Sequence, residues 1–427
     1  MSFKIIGVLD NGIQGLTSDS LQAIKNANLV IGASRTLVLF KEQIEQAQQK
    51  DLTGHLKDVP GWITDALKAR QQVVVLATGD PLCHGIASYL CKKLPDTKLQ
   101  IIPNVSSIQL AFAQIGLAWQ DAKIISVHSK DAGEWQKGAG PEHGFYALLQ
   151  AIFNHHKLAI LTSPENTPDR IARMMLQEGV AELFEITVTE DLLGKHEKVI
   201  QGESIQSISE QSFNGNDIVI LQRKQSNKES IIFGLQDNEF KQRKPDKGLI
   251  TKREVRAVSL SRMQLKPSSI VWDIGAGSGS VGLEAARLCK QGYVYAIEKN
   301  IADFEIAQHN AKQLNIYNYQ LINNKAPIGL NDWPNPDAIF MGGTGGELAE
   351  LIKLCLQRLN VNGWLVMNFV TIENLTTAVE TLKTLDSHWD MTQLQASRSQ
   401  PILHMHRMQA ENPVWIVSAQ RTEQNDS

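Results

Sequence analysis

The chain has 427 residues, of which 42% are hydrophobic and 20% charged, as is typical of globular domains with apolar cores. This length favours two domains. A net charge of −3 at pH 7 argues against a protein whose main task is to bind nucleic acid. No apolar run is long enough to span a bilayer. The N-terminal segment MSFKIIGVLDNG predicts a β-strand, not a signal peptide, and the four cysteines lack the spacing of a metal site. These features predict a cytoplasmic protein with reduced thiols and no bound metal.

Strand and helix patterns alternate through the first half of the chain. Buried strands are predicted at 5–8, 29–33, 73–78, 99–103, 124–129 and 157–163. Helices are predicted around 18–27, after Gly79-Asp80-Pro81, and after Ser106 or Ser107, either of which can cap the helix. From 182 to 223 three strands follow one another without long helices. This succession of strands predicts antiparallel pairing that completes an α/β domain.

A polar segment without hydrophobic periodicity, 224–230, is predicted to link a domain at 1–223 to a second domain at 231–427. Strands in the second domain are predicted at 271–275, 293–298, 319–324, 337–343 and 364–369, with a helix after each of them except the third. This alternation predicts a doubly wound, Rossmann-like parallel sheet. The last strands, near 390–396 and at 413–419, are predicted to pair antiparallel at its edge.

The sequence VWDIGAGSGSVGLEAA, at 271–286, contains a strand, an acid, three glycines and the start of a helix. Glycines at 275, 277 and 279 permit a tight turn and close approach of a ligand to the backbone. Dinucleotide enzymes favour G-x-G-x-x-G, whereas here the third glycine comes one residue earlier, two residues after the second. With Asp273 before the loop and Glu298 at the end of the next strand, where an acid can accept hydrogen bonds from ribose hydroxyls, the pattern favours S-adenosylmethionine. We predict cofactor contacts by Asp273, Gly275, Gly277, Gly279 and Glu298.

Two further segments of the second half predict substrate contacts. In ITKREVRA, Thr251 is predicted to cap a helix that carries Lys252 and Arg256 on one face, which suits an anionic substrate. In DAIFMGGTGGE a buried strand ends in a glycine-rich loop at the sheet edge where ligands bind. The substrate-binding residues predicted there are Gly342, Gly343, Thr344 and Gly345.

The order TKREVRA, WDIGAGSGS, YAIEKN and FMGGTGG resembles the decarboxylating precorrin methyltransferases of cobalamin biosynthesis. The first half resembles the tetrapyrrole methylase family, through LATGDPLCHGI, IPNVSSIQLAFAQIGLAW, SVHSK and LTSPENTPDRIA. The resemblance implies a two-lobed N-terminal domain that methylates C-5 of a precorrin. It also implies a C-terminal domain that methylates C-15 and removes carbon dioxide from the C-12 acetate.

The resemblance further implies one S-adenosylmethionine per domain and a substrate rich in carboxylates, with no nucleic acid or membrane partner. In the first domain it implies cofactor contacts by Gly79, Asp80, Ser106 and Ser107, and a substrate contact by Asp10. Two positions depart from the family pattern. Leu9 replaces a glycine of the first loop, and Lys325 stands where an acid normally lies near the adenine. An enzyme that handles unstable intermediates is also expected to form a homo-oligomer.

Several hypotheses remain open at the level of sequence. For Asp80, a plain turn before a helix remains an alternative to a ligand contact. His406, in the strand-like segment PILHMHRM, is a candidate for assisting the carboxylate chemistry. For the whole chain, the alternatives are an RNA methyltransferase with an accessory domain, a nicotinamide oxidoreductase, and a tetrapyrrole-binding protein whose first domain has lost its donor site. An RNA methyltransferase usually has an Asn/Asp-Pro-Pro-aromatic tetrapeptide after the fourth strand. This chain has Met-Gly-Gly-Thr there, which counts against that alternative.

Overall fold

The structure is a computed structural model, and it describes residues 2–215, 217–225, 231–243, 250–342, 347–385 and 387–421. The chain divides into two units, Met1–Ser226 and Asn227–Ser427. The division falls inside the polar segment 224–230. In the described ranges no helix has both the length and the hydropathy needed to cross a membrane.

Unit 1 contains two five-stranded sheets. The strands of sheet A are β1 (Ser2–Val8), β2 (Leu29–Gly32), β3 (Gln48–Asp51), β4 (Val73–Thr78) and β5 (Lys98–Ile102). Their spatial order is β3-β2-β4-β1-β5, and all neighbours pair parallel. The strands of sheet B are β6 (Lys123–Ser126), β7 (Lys157–Leu161), β8 (Phe184–Glu190), β9 (Lys198–Gln201) and β10 (Ile218–Arg223). Their order is β6-β7-β10-β8-β9, with only β6 and β7 parallel. This arrangement confirms the predicted two-lobed α/β fold.

Unit 1 contains eight helices in its described part, of which the first four cover the two faces of sheet A. They are α1 (Ser18–Lys25), α2 (Ser34–Leu39), α3 (Val59–Lys68), α4 (Ile86–Lys93), α5 (Ser107–Gln114), α6 (Tyr146–Asn154), α7 (Pro168–Gln177) and α8 (Ile205–Ser209). Along β4, Val73 and Val75 pack in a cluster with α3 and α4, whereas Val74 packs in a cluster with α1 and α2. Successive side chains of a strand point to opposite faces, so a strand covered on both sides is apolar throughout.

Unit 2 contains a seven-stranded sheet. Its strands are β11 (Ile270–Ile274), β12 (Tyr293–Glu298), β13 (Tyr319–Asn323), β14 (Ala338–Met341), β15 (Trp364–Phe369), β16 (His388–Leu394) and β19 (Val414–Gln420), in the order β13-β12-β11-β14-β15-β19-β16. The strands β11 to β15 pair parallel, and β19 is antiparallel to both of its neighbours. The helices are α9 (Arg253–Arg262), α10 (Ser280–Leu288), α11 (Ile301–Gln313), α12 (Leu348–Arg358) and α13 (Ile372–Thr384). The predicted Rossmann-like fold with an antiparallel edge is confirmed.

The segment PILHMHRM is not a single strand. It spans the turn of a hairpin formed by β17 (Ser397–Ile402) and β18 (Met405–Ala410). His404 lies in the turn, whereas His406 lies on β18 opposite Pro401. The interpretation of this segment as strand-like was therefore wrong at its centre, because the chain reverses at Leu403, which has a φ of 53°.

Candidate active sites

In unit 2 the glycine loop lies between β11 and α10, beside the point where the strand order reverses from β11 to β14. Gly275, Gly277 and Gly279 have φ values of 74°, 58° and 77°, a backbone region that favours glycine. A Cβ at position 279 would lie 3.2 Å from the Cβ of Ala307 and 3.2 Å from the Leu283 side chain. The loop thus needs its glycines both for its turns and for its packing against the neighbouring helices.

Glu298, at the end of β12, reaches the glycine loop directly. Its Oε2 accepts a hydrogen bond from the Gly277 N–H at 2.8 Å, and its Oε1 accepts one from Asn300 N–H at 2.8 Å. The side chain is 7% exposed. A carboxylate has about four acceptor positions, so these two bonds leave acceptor capacity for ligand hydroxyls at the loop.

Asp273 lies beneath the loop and is 1% exposed. Its Oδ2 accepts a hydrogen bond from Gly282 N–H at 3.0 Å, and a Cβ at 282 would lie 2.4 Å from that oxygen. Burial raises the pKa of Asp273 to about 7; the Gly282 bond opposes this rise and the charge of Glu298 adds to it. Asp273 therefore supports the loop from the interior.

Three buried polar atoms around this loop have no hydrogen-bond partner in the described part of the chain. They are Asp273 Oδ1, Ser278 Oγ and Tyr319 Oη. Burial also raises the pKa of Tyr319, and the charges of Asp273 and Glu298 raise it further. Tyr319 adjoins the loop, because a Cβ at 279 would lie 3.3 Å from its hydroxyl oxygen. Tyr319 was not predicted from the sequence as a site residue, since a tyrosine in a strand is usually a packing residue.

The end of β14 lies against the glycine loop. Gly342 N–H donates to the carbonyl of Ile274 at 3.1 Å, and a Cβ at 342 would lie 3.5 Å from the carbonyl oxygen of Gly275. Gly342, at the end of β14, therefore adjoins the glycine loop after β11. The other predicted substrate residues of this segment, Gly343, Thr344 and Gly345, lie outside the described residues.

Arg256 does not present its charge to a ligand, so the prediction of a substrate contact was wrong. The residue has no exposed surface. Its Nε donates to Glu284 at 3.1 Å, and its Nη1 donates to Asp237 at 3.2 Å and to the Thr251 carbonyl at 2.7 Å. Arg256 lies on the buried face of α9. The equally buried carboxylate of Glu284 compensates the cost of burying the guanidinium charge.

The start of α9 also differs from the prediction. Lys252, not Thr251, is the residue before the helix, and no side chain caps it. Thr251 and Lys252 are half-buried, while Arg253 is exposed and near Glu254. The N-terminal end of α9 thus retains two cations, Lys252 and Arg253, as candidates for contacting an anionic substrate.

Arg398, at the start of the hairpin, forms ion pairs with Glu254 and Asp237. These residues border a surface cavity of about 440 Å³, which is lined by Gln236, Asp237, Asn238, Arg253, Glu254, Arg398 and Ser399. None of the lining residues belongs to the glycine loop. The cavity is therefore separate from the predicted donor site, and the carboxylates within it neutralise Arg398.

In unit 1 the predicted glycine positions converge at the carboxyl ends of β4, β1 and β5. A Cβ at Gly7 would lie 2.1 Å from the carbonyl oxygen of Gly79 and 2.6 Å from Asn104 N. The Asn104 side chain donates to the carbonyls of Gly7 at 3.2 Å and Gly15 at 2.8 Å. Gly79 has a φ of 63°. Close backbone contact at the ligand edge of a parallel sheet explains these glycines.

The polar residues predicted beside this junction have local partners. Asp80 Oδ1 accepts from Leu82 N–H at 2.9 Å, which is the turn that the sequence left as an alternative. Ser106 is the N-cap of α5, and its Oγ accepts from Gln109 N–H at 3.2 Å. Ser107 is the first residue of α5 and is half-buried. Capping occupies Ser106, whereas Asp80 retains its second carboxylate oxygen for a ligand.

Arg35 connects loops from both sheets of unit 1. Its Nη2 lies 2.5 Å from Asp10 Oδ2, after β1, and 3.1 Å from Asp191 Oδ1, after β8. Burial raises the pKa of Asp10, and the charge of Arg35 opposes this rise. The adjacent Leu9 is buried, so the side chain that replaces the family's glycine points inward. Arg35 was not predicted from the sequence, although a charged residue soon after a buried strand is a usable signal.

Comparison with known proteins identifies two families in the same order as the two units. A model of Tetrapyrrole (Corrin/Porphyrin) Methylases matches residues 3–205, and a model of the precorrin methyltransferase domain matches residues 244–421. A precorrin-6Y C(5,15)-methyltransferase [decarboxylating] from Sinorhizobium sp is 27% identical over 381 residues, covering 86% of this chain and 84% of that relative.

Two further matches each cover less than half of this chain. A cobalt-precorrin-6B C(15)-methyltransferase (decarboxylating) from Salmonella typhimurium is 36% identical over 175 residues, covering 41% of this chain and 90% of that relative. A solved structure of a precorrin-6y C5,15-methyltransferase from Geobacter metallireducens is 37% identical, with a TM-score of 0.43. The match covers 45% of this chain and 100% of the solved one.

Proposed function

Because the chain belongs to the precorrin methyltransferases, with a tetrapyrrole methylase domain followed by a precorrin methyltransferase domain, we propose that it methylates a precorrin twice. Unit 1 transfers a methyl group from S-adenosylmethionine to C-5. Unit 2 transfers a second one to C-15 and removes carbon dioxide from the acetate at C-12. The enzyme therefore binds two donor molecules, one in each unit.

The observation that carries this proposal is the contact between Glu298 and the glycine loop of unit 2. The carboxylate accepts from Gly277 N–H at 2.8 Å and is nearly buried, so it is fixed where ribose hydroxyls reach the loop. The glycines leave room for the aminoacyl part of the donor beside the N-terminus of α10. A hydride carrier is disfavoured because its pyrophosphate suits the longer G-x-G-x-x-G spacing.

The ligand edge of sheet A supports a flat, largely apolar acceptor in unit 1. Every strand of this sheet is followed at its carboxyl end by an exposed large apolar side chain. In chain order these are Ile13, Val38, Leu56, Leu82 and Val105, with exposed fractions of 47%, 73%, 43%, 53% and 43%. Exposed apolar side chains in the segments that follow these strands support a binding surface for the apolar face of a macrocycle.

The chemistry asks mainly for alignment and exclusion of water. Methyl transfer from a sulfonium to an electron-rich ring carbon gains its rate from positioning the two reactants in line. In unit 2, Lys252 and Arg253 are placed to hold carboxylates of the macrocycle. Loss of carbon dioxide from the acetate uses the conjugated ring as the acceptor of the electron pair.

The test is incubation of the full chain with its precorrin substrate and isotopically labelled S-adenosylmethionine, followed by mass spectrometry. The proposal predicts two labelled methyl additions together with the loss of carbon dioxide. No change of mass on any tetrapyrrole would overturn it, and transfer of label to RNA would favour the alternative methyltransferase.

We also propose that the enzyme is a cytoplasmic homo-oligomer. The four cysteines are free, which suits a reducing compartment. Leu403, Met405 and Met408 of the hairpin are 91%, 56% and 65% exposed, and a second copy of the chain would cover them. Light scattering should report a mass above that of one chain, and Leu403→Asp should lower it; a monomer at micromolar concentration would contradict this proposal.

A further inference from the structure

His128 of unit 1 is held in one orientation at the surface. It lies two residues after β6, and its ring is exposed. Its Nδ1 is 3.1 Å from the carbonyl oxygen of Thr162. A carbonyl only accepts, so Nδ1 carries the proton of the neutral ring and Nε2 carries the lone pair. Within the described residues, Nε2 has no hydrogen-bond partner.

The backbone on both sides of His128 is fixed by one buried side chain, Asn166, which has no exposed surface. Its Nδ2 donates to the carbonyls of Val127 at 2.9 Å and Lys130 at 3.1 Å. Its Oδ1 accepts from Ala132 N–H at 3.0 Å. A fixed imidazole with an open nitrogen is the arrangement that proton transfer requires.

His128 lies at the edge of sheet B that is joined to the ligand edge of sheet A. The strands β6, β7 and β8 run in the same direction, so His128 and Asp191 lie at the same edge. They are separated by three strand spacings, or about 14 Å. Asp191 is tied through Arg35 to Asp10, which follows β1 of sheet A. His128 therefore lies at the edge of sheet B that Arg35 connects to the carboxyl end of β1 in sheet A.

Two acids at this edge, Asp217 and Glu190, are already occupied. Asp217 is buried, and its Oδ2 accepts from Gly215 N–H at 3.0 Å. Glu190 lies 3.7 Å from the Lys198 ammonium group. His128 is an exposed side chain at this edge whose Nε2 is an unoccupied acceptor within the described residues.

We infer that Nε2 of His128 accepts the proton that the macrocycle releases when C-5 is methylated, an inference that rests on the proposed function. The ring carbon gives an electron pair to the methyl group, the carbon–sulfur bond breaks, and sulfur keeps that pair as a thioether. The positive charge passes to the macrocycle. The proton leaves to Nε2, its bonding pair returns to the ring system, and the imidazolium later releases the proton to water.

The test uses two variants of the full chain with labelled S-adenosylmethionine and its precorrin substrate. In His128→Asn, the amide nitrogen retains the donation to Thr162 but no base remains, and C-5 methylation should slow by about 100-fold or more. His128→Ala should lose the same activity and regain part of it with added imidazole. His156→Asn is the matched control, since His156 is exposed at the opposite end of β7 and bonds Asp121.

Calorimetry should show that His128→Asn still binds the donor as the wild type does. A rate of C-5 methylation in His128→Asn within about threefold of the wild type would overturn the inference. Failure of imidazole to accelerate His128→Ala would also overturn it, because a purely structural histidine is not replaced by a diffusing base. If the wild type methylates no tetrapyrrole, the proposed function fails as well, and this outcome is distinct from the other two.

Discussion

Replacing Asp273 with asparagine should change how the stability of unit 2 depends on pH. Burial raises the pKa of this carboxyl from 3.8 to about 7 in the folded chain, whereas the unfolded chain has the ordinary value. The folded state holds the proton of Asp273 more tightly than the unfolded state does. The stabilisation from the protonated Asp273 is therefore complete below about pH 4 and is lost as the pH rises through about 7. This difference between the folded and unfolded pKa values corresponds to about 4 kcal/mol in the free energy of unfolding.

Asparagine suits this test because its oxygen can still accept from Gly282 N–H while the side chain no longer titrates. Urea unfolding followed by tryptophan fluorescence, at about pH 4, 6 and 8, gives the free energy of each protein. Between about pH 4 and pH 8, the free energy of unfolding of the wild type should fall by about 4 kcal/mol relative to that of Asp273→Asn. Asp332→Asn, at an exposed site, should follow the wild type. A difference between wild type and Asp273→Asn that does not vary with pH would refute the reasoning.

Four further substitutions test the sites. Glu298→Gln should weaken donor binding in unit 2 by about tenfold or more, measured by calorimetry, because an amide cannot accept from both N–H groups that the carboxylate now binds; Glu305→Gln, at an exposed position of α11, should bind normally. Gly279→Ala should destabilise unit 2 by about 1–3 kcal/mol in urea unfolding, since alanine is strained at a φ of 77°; unchanged stability would contradict the packing of the loop. Arg35→Gln should lower C-5 methylation and leave donor binding by unit 2 intact; equal loss in both units would point to general misfolding. His406→Ala should slow the loss of carbon dioxide, followed by mass spectrometry, and an unchanged rate would remove His406 from the chemistry.

Much of the fold was predictable because buried parallel strands are continuous apolar runs. The strands β4, β11, β12 and β15 show such runs, and each lies within about two residues of its predicted bounds. The hairpin of β17 and β18 was missed because both of its strands are exposed. With no buried face, its residues carry no alternation of apolar and polar side chains that would mark a strand.

The donor site of unit 2 was also predictable in outline, because its glycines are adjacent in sequence and local geometry determines their φ values. The partners of Arg256 were not predictable. Glu284 lies 28 residues away on another helix, and only the packing of α9 on α10 brings the two charges together. Arg35 likewise depends on Asp191, which is 156 residues distant. Spacing along the chain identifies local motifs, whereas ion pairs between elements require the tertiary fold.

The central claim is that two separate methyl-transfer sites act on one tetrapyrrole. Mass spectrometry of the products formed by wild type and Glu298→Gln, with the precorrin substrate and limiting labelled donor, tests it most directly. The wild type should add two labelled methyl groups and release carbon dioxide. The variant should add the C-5 methyl group alone and retain the acetate. Loss of both methyl additions in the variant, or two additions at the wild-type rate, would contradict the assignment of one site to each unit.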